Sequence, residues 1–271
     1  MVIPTLSQIV HAETHQHRAE PQTMIESSNI DGKLELAINR PERKNAFDAK
    51  TCSQLLDELQ SAKRDPSVHV VVIKGRGGSF SAGRDLKEAA TLDLEAALRQ
   101  HDEWSEIFTV LNQLRVPSVA VVSGFAVAGG FTLAMGCDFV LAERSAKFGA
   151  LEMANGFPAA VCTPLLAAKA LPRIGMELAI FGEFVDAERL HAAGLINRLA
   201  DDPSGLDEIE EAFVGRIQAL DPLSVRQTVE TFRAARGVPL DQSMTMGRHL
   251  NQLLDAAGTF AKGGQAFSER K

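Results

Sequence analysis

The chain has few cysteines and fewer basic than acidic residues, and each feature argues against a class of protein. The 271-residue chain has only three cysteines, Cys52, Cys137 and Cys162, and their spacing matches neither a metal-ligand motif nor a disulfide framework. This cysteine usage predicts a cytoplasmic location. The formal net charge is -7 and no long lysine or arginine run is present, so nucleic acid is not expected as a partner.

Long apolar runs are missing as well. No stretch approaches the roughly 20 apolar residues that span a bilayer, so no membrane partner is expected. The amino-terminal segment lacks a basic leader and is interrupted by Pro4, which makes it a poor secretory signal. We predict a disordered tail over residues 1–23. Its histidines are His11, His15 and His17. They are expected to be solvated, because a polar tail lacks the neighbouring groups that hydrogen-bond metal ligands and hold them in position.

Beyond the tail, short β-branched runs alternate with longer helical periods, which is the pattern of an α/β domain. The segments "VHVVVIKG" and "SVAVVSG" are typical of buried strands. A helix is predicted between an Asp48 cap and Pro66.

The sequence predicts an α/β core over residues 24–200 and a helical region over residues 201–271. Apolar residues of that region recur at helical spacing, at Ile209, Phe213, Ile217, Leu220, Val225, Val229 and Phe232. These stripes must bury against the core or against another subunit.

Two glycine-rich turns need a physical explanation. "KGRGGSFSAGRD" is neither a Walker loop nor a dinucleotide fingerprint, because no Gly-Lys-Ser/Thr follows and Phe80 stands where a glycine is required. "SGFAVAGGFTLAMGCD" enters a helical run at Gly129 and Gly130, which leaves free backbone N–H groups at a helix start. One N–H from each turn, converging on a carbonyl oxygen, would form an oxyanion hole that stabilises an enolate. On glycine content alone, simple close packing of the backbone is the more economical explanation.

Five segments, in order, together resemble the crotonase, or enoyl-CoA hydratase/isomerase, superfamily: "LAINRPERKNAFD", "FSAGRDLKE", "SGFAVAGGFTLAMGCDFVLA", "AKFGALEMANGFP" and "FGEFVDAERLHAAGLINRL". The resemblance covers residues 28–271. It implies a spiral of ββα units and a carboxyl-terminal helical region that forms a homotrimer, often paired into a hexamer. It also implies an acyl-CoA substrate and no metal or redox cofactor.

The resemblance also implies site residues, position by position. The family's oxyanion hole matches the backbone N–H groups of Ala82 and Gly129, although Asp85 beside it is as well explained as a helix cap. Positions that match CoA or substrate contacts are Arg43, Lys44, Ser81, Ala82, Gly83, Arg84, Asp85, Leu86, Gly130, Phe267 and Arg270.

The number of carboxylates in the site determines whether hydration or isomerisation is the expected reaction. Hydratases of this family generally use two glutamates; Glu152 matches the second, whereas Thr132 stands at the first. A threonine hydroxyl orients a water but titrates too high to act as a base near neutral pH. A single carboxylate suffices to move a double bond, so the sequence favours isomerisation by Glu152. Hydration by Glu152, with Thr132 positioning the water, stays open.

Two further alternatives remain from the sequence. One is an acyl-CoA-binding scaffold that has lost catalysis, and the other is a sibling reaction of the same enolate chemistry, such as decarboxylation or carbon–carbon cleavage. The segment "LEMANGFPAAVCTPLL" departs from the family pattern, with Leu151 in place of a proline. The shape of the acyl group is therefore not predicted. If Glu152 is buried, its apolar neighbours are expected to raise its pKa.

Overall fold

A computed structural model describes residues 23–260 of the chain. The tail predicted for residues 1–23, apart from Thr23, and the contacts predicted at Phe267 and Arg270 lie outside the described residues. The strands are β1 Ile25–Ile30, β2 Lys33–Ile38, β3 Val70–Gly75, β4 Ser118–Val122, β5 Phe125–Val127, β6 Phe139–Glu143, β7 Lys147–Gly149, β8 Val185–Asp186 and β9 Arg198–Ala200. The helices are α1 Ala49–Arg64, α2 Leu86–Ala89, α3 Leu94–Gln113, α4 Gly129–Gly136, α5 Cys162–Lys169, α6 Pro172–Phe181, α7 Ala187–Ala192, α8 Pro203–Gln218, α9 Pro222–Ala235 and α10 Leu240–Ala256.

The strands divide between two sheets, and the chain passes repeatedly from one to the other. The larger sheet has the order β1-β2-β3-β4-β6-β9, in which only the β1–β2 pair is antiparallel. The smaller sheet has the order β5-β7-β8. Thus β4 is followed by β5 in the other sheet and then by α4, and β6 is followed by β7 in the same way. This alternation is the spiral of ββα units that the sequence resemblance implies.

The larger sheet is buried on both faces, as parallel sheets require. Strand β3 shows how its sequence achieves this, because successive side chains point to opposite faces. Val71 and Ile73 join the main core, which also contains the apolar sides of α1 and α3. Val70 and Val72 join a second cluster, where Leu206 and Val214 of α8 cover the sheet. A β-branched run without alternation of polarity is therefore what this strand needs.

Helix α1 begins and ends where the sequence predicts. The Asp48 side chain accepts a hydrogen bond from the Thr51 N–H at 2.7 Å, which satisfies one of the free donors of the first turn. The apolar face of α1, including Leu55 and Leu59, is fully buried. At the other edge of the core, Asp138 accepts a hydrogen bond from the Ser118 N–H at 2.9 Å and thereby ties β4 to the start of β6.

The carboxyl-terminal helices differ in how far they are buried. Helix α8 is anchored by Glu210, which is only 4% exposed and bonds Lys33 at 3.2 Å and Lys74 at 3.0 Å. Its apolar stripe packs on the sheet, which is one of the two alternatives that the sequence leaves open. On α9 and α10, by contrast, large apolar side chains are exposed in the single chain, among them Phe232, Leu240, Met244 and Leu253. No helix within residues 23–260 is both long enough and apolar enough to cross a bilayer.

Candidate active site

A cavity of about 300 Å³ lies where the two glycine-rich turns meet the chain that follows β7. Its wall is mostly apolar, with a few convergent polar groups, which is the usual character of a ligand site. The structure brings together six of the residues predicted from the sequence: Ala82, Arg84, Leu86, Gly129, Thr132 and Glu152.

The two glycine turns are in direct backbone contact. The Val127 N–H donates to the Ser81 carbonyl at 3.1 Å. A Cβ atom added to Gly83 would lie 2.8 Å from the Gly129 nitrogen, and one added to Gly130 would lie 2.2 Å from the Ser81 oxygen. Close packing therefore does explain Gly83 and Gly130. The same packing brings the backbone of the first turn against the start of α4, as an oxyanion hole requires.

The prediction that Ala82 supplies a free N–H needs correction. Its N–H donates to the Lys44 carbonyl at 2.9 Å, so this donor is already used to hold the loop. The free donor lies two residues further on. The loop pairs with Phe47 through the Gly83 carbonyl and the Asp85 N–H, both at 2.8 Å, which leaves the N–H of Arg84 on the opposite edge.

The N–H of Arg84 is unused by any acceptor within residues 23–260. It also adjoins Gly129, since a Cβ atom added to Gly129 would lie 3.5 Å from the Arg84 nitrogen. The pair of donors that the structure supports is therefore Arg84 and Gly129. The sequence alone did not show this, because the choice depends on the pairing of the loop with Phe47, which is distant in the chain.

Gly129 begins α4, and its N–H is one of the donors that a helix start leaves without an intrahelical partner. The preceding residue, Ala128, adopts φ 49° and ψ -121°, a conformation that favours glycine. Its N–H donates to the Gly149 carbonyl at 2.8 Å, which ties this turn to β7. Strained backbone of this kind is concentrated at functional sites.

Glu152 provides a carboxylate to the cavity. It immediately precedes a 3₁₀ turn, Met153–Asn155, and its Oε2 atom is buried without a hydrogen-bond partner among the described residues. Burial raises the pKa of Glu152, and only a contact with its own backbone opposes that shift. A raised pKa brings a carboxyl group nearer to the operating pH and so suits it to both accepting and returning a proton.

Thr132, on the first turn of α4, is 2% exposed. Its hydroxyl donates to the Ala128 carbonyl at 3.1 Å and also contacts the Cys162 thiol, so it can take part in a further hydrogen bond only as an acceptor. Nearby, burial raises the pKa of the Cys162 thiol to about 12, and the charge of Glu152 adds to the rise. Among the described residues that line the cavity, Glu152 is the one carboxylate.

Several predicted contact residues shape the loop from outside the cavity. The Ser81 hydroxyl is buried; it donates to the Asn45 carbonyl at 2.7 Å and accepts from the Gly83 N–H at 3.1 Å. Asp85 caps α2 by accepting from the N–H groups of Lys87 and Glu88. Burial alone would raise the pKa of Asp85, but these backbone donors and Arg40, 3.3 Å away, lower it overall. The alternative of Asp85 as a cap is confirmed.

Arg43 and Lys44 are exposed and do not line the cavity. They lie beside the glycine loop, because the Lys44 carbonyl holds the Ala82 N–H. The Lys44 ammonium lies 4.9 Å from the centre of the Phe125 ring. Their contact with the phosphates of CoA stays a prediction.

Sequence reasoning missed the part of the wall that comes from α3. Trp104 packs against Phe47, with ring centroids 5.0 Å apart, and both rings line the cavity together with Gln100 and His101. The amphipathic pattern of α3 indicates a buried face but not the element it faces. The one available signal was that the only tryptophan of the chain lies on that helix.

The chain is similar to known proteins over most of its length. The sequence model of the enoyl-CoA hydratase/isomerase family matches residues 31–271. A 2,3-dehydroadipyl-CoA hydratase from Escherichia coli is 31% identical over 240 residues, which cover 88% of this chain and 92% of that protein. A 1,2-epoxyphenylacetyl-CoA isomerase from the same organism is 29% identical over 248 residues, covering 89% and 93%.

A solved structure of an enoyl-CoA hydratase from Mycobacterium smegmatis superposes with a TM-score of 0.86 at 26% identity, covering 92% of this chain and 98% of that one. The family match covers residues 31–271, and the structural likeness covers 92% of the chain. The chain belongs to the enoyl-CoA hydratase/isomerase family and is an enzyme of the crotonase superfamily.

Proposed function

We propose that this enzyme moves the double bond of an unsaturated acyl-CoA thioester, with Glu152 as the acid/base. The observation that carries the proposal is that Glu152 is the one carboxylate among the described residues of the cavity wall. The residue at the position of the family's other glutamate, Thr132, has its only donor engaged. One carboxylate suffices for a reaction that removes a proton and returns it elsewhere.

The reaction needs two steps. The thioester oxygen accepts hydrogen bonds from the N–H groups of Arg84 and Gly129, and the Glu152 carboxylate takes a proton from the α-carbon of a β,γ-unsaturated acyl group. The electron pair spreads over the resulting dienolate, whose negative oxygen the two N–H groups stabilise. Protonated Glu152 then returns the proton to the γ-carbon, which leaves the double bond between the α- and β-carbons and regenerates the carboxylate. Only a proton moves, so we propose no metal or redox cofactor.

Hydration is a second candidate, because the family includes named hydratases such as the one from Escherichia coli. Here a water molecule would donate one hydrogen bond to a lone pair of the Thr132 hydroxyl, which also contacts the Cys162 thiol. Glu152 would take the water's other proton while the oxygen adds to the β-carbon, and would then deliver a proton to the α-carbon. Both candidates use the same enolate and the same donors.

The two candidates are separated by incubating the protein with 3-hexenoyl-CoA and, separately, with 2-hexenoyl-CoA, and following products by mass spectrometry. We expect 2-hexenoyl-CoA from the first substrate and little hydrated product from the second. Glu152→Gln should abolish both conversions, whereas Glu208→Gln, on an exposed face of α8, should abolish neither. Rapid hydration by the native enzyme would replace isomerisation as the function. Activity that survives Glu152→Gln would contradict the mechanism.

The same assay tests the remaining alternatives. Tight binding of CoA thioesters with no turnover would identify a scaffold. Turnover of malonyl-type or β-keto thioesters alone would identify a decarboxylation or a carbon–carbon cleavage.

We also propose that the enzyme assembles as a trimer or a pair of trimers in the cytoplasm. The exposed apolar residues on α9 and α10 support assembly, since a single chain leaves them in water. The three buried free thiols are compatible with a reducing compartment. Arg43 and Lys44, beside the loop, are proposed to meet the phosphates of CoA, as Phe267 and Arg270 are proposed to cover it from the carboxyl terminus.

A further inference from the structure

The side chain of Arg84 brings a positive charge to a mostly apolar cavity. Its backbone N–H belongs to the proposed oxyanion hole, and its guanidinium contacts Gln100 and His101, which line the cavity with it. We propose that the cavity selects an acyl group that ends in a carboxylate, and that the Arg84 guanidinium binds this carboxylate. The inference rests on the proposed function, since it takes the acyl part of a CoA thioester as the occupant.

The guanidinium is incompletely hydrogen-bonded by the part of the chain that the structure describes. Of its five N–H donors, one donates to the Gln100 side-chain carbonyl and another lies 3.5 Å from the His101 Nε2 atom. The Nε atom is buried and has no hydrogen-bond partner among residues 23–260. No carboxylate in that range forms an ion pair with Arg84. A partly buried cation with only neutral partners is costly unless an anion joins it.

The nearest acidic groups are engaged elsewhere. Gln100 separates Arg84 from Glu88, whose carboxylate accepts from the Gln100 amide at 3.4 Å and from the Ala49 N–H at 3.1 Å. The Asp85 carboxylate caps α2 and pairs with Arg40. These contacts hold the loop and α3 together while leaving the guanidinium free to meet a ligand.

The position of Arg84 relates the two ends of the acyl group. Its backbone N–H adjoins Gly129, where the thioester oxygen is proposed to lie. Its guanidinium contacts Gln100 and His101 of α3, which line the same cavity. An acyl group that runs from the two N–H donors along α3 therefore meets the guanidinium.

The guanidinium and the size of the cavity together determine the kind of ligand. A planar guanidinium matches a carboxylate through two parallel hydrogen bonds, which gives direction as well as energy. The cavity volume of about 300 Å³ is at the small end for ligand sites. A short dicarboxylic acyl thioester, with one carboxyl bound to CoA and the other free, meets both conditions.

The test measures binding by calorimetry, so that it does not depend on turnover. The probes are adipyl-CoA, which ends in a carboxylate, its methyl ester, hexanoyl-CoA, which ends in a methyl group, and free CoA. The native enzyme should bind adipyl-CoA about 10- to 100-fold more tightly than hexanoyl-CoA or the ester. Arg84→Met should remove this preference, so that adipyl-CoA, its methyl ester and hexanoyl-CoA bind the variant with affinities within about threefold of one another. Lys87→Met, a matched loss of charge on the exposed face of α2, should leave the preference intact.

Two results would overturn the inference. One is equal affinity of the native enzyme for adipyl-CoA and hexanoyl-CoA. The other is an equal loss of affinity for both thioesters and free CoA in Arg84→Met, which would place the guanidinium on the CoA phosphates. Thermal unfolding of Arg84→Met checks that the variant is folded. A preference for adipyl-CoA without any turnover would support the inference while refuting the proposed isomerisation, so the two failures remain distinct.

Discussion

The Glu152 carboxylate has an advantage for catalysis and a cost for stability, because its Oε2 atom is buried without a hydrogen-bond partner among the described residues. The pKa of Glu152 is raised above 4.5, so the folded state disfavours the ionised form. The stability associated with the protonated form is fully present below pH 4.5 and is lost as the pH rises through the raised pKa. Glu152 must nevertheless be ionised to remove a proton from the substrate.

We therefore predict opposite effects of Glu152→Gln on activity and stability. The kcat for isomerisation should fall by about 10²- to 10⁴-fold, since the acid/base is lost. The melting temperature should rise near neutral pH, where the native carboxylate is charged, and the difference should vanish below pH 4.5. Differential scanning calorimetry at the two pH values checks this. A variant less stable than the native protein near neutral pH would show that the carboxylate has a partner in solution.

Ala128 permits a second prediction about a single residue. Its φ of 49° and ψ of -121° are strained for any residue with a Cβ atom, so Ala128→Gly should increase the free energy of unfolding by about 1 kcal/mol. Ala167→Gly, on the exposed side of α5, is the control and should decrease it by about 1 kcal/mol. Urea denaturation measures both changes. A loss of stability in Ala128→Gly would mean that the turn is not strained.

Single residues also show where prediction from the sequence ends. The resemblance to the family predicts Glu152, Thr132 and Gly129 as site residues, and all three line the cavity. The donor on the first turn was misplaced at Ala82, since the distant Lys44 carbonyl takes that N–H. The role of the Arg84 side chain was equally hidden, because it depends on α3 packing beside the loop.

At the scale of elements, the site depends on the contact between the two glycine turns. Gly83 and Gly78 both have positive φ, of 88° and 75°, so alanine should strain either position by about 1 kcal/mol. Only at Gly83 would the new Cβ atom press on the Gly129 nitrogen, whereas at Gly78 it would meet nothing within 4 Å.

Gly83→Ala and Gly78→Ala are therefore a matched pair, because only the first places a Cβ atom against the second turn. Gly83→Ala should lower kcat by about 100-fold, because a shift of the turns misplaces the donors to the thioester oxygen. Gly78→Ala should lose similar stability but keep its kcat within about threefold. Steady-state kinetics and thermal unfolding of both variants provide the measurement. Equal kcat values would show that the contact between the turns is not needed for catalysis.

Elements were more predictable than the contacts between them. The buried strands β3 and β4 and the capped helix α1 follow from β-branched runs and from Asp48, which act locally. That β4 and β5 belong to different sheets does not follow from such local signals, because both are short and apolar. The resemblance of five ordered segments to a known family supplied that information.

For the whole molecule, the exposed apolar residues of α9 and α10 predict assembly. Sedimentation equilibrium should give three or six chain masses, and Phe232→Glu should shift the protein towards a single chain, because Phe232 is 66% exposed in the isolated chain. Leu94→Glu, at a position 76% exposed on α3, is the control and should leave the assembly unchanged. A native protein that sediments as a single chain at micromolar concentration would refute the proposed trimer.

The central claim is that Glu152 removes a proton from the α-carbon of a thioester whose oxygen is held by the N–H groups of Arg84 and Gly129. Hexanoyl-CoA, which has no double bond, isolates this step, because the enzyme can only remove and replace the α-proton. In deuterium oxide, mass spectrometry should show deuterium entering hexanoyl-CoA with the native enzyme and none above background with Glu152→Gln. Exchange that persists in Glu152→Gln would contradict the account.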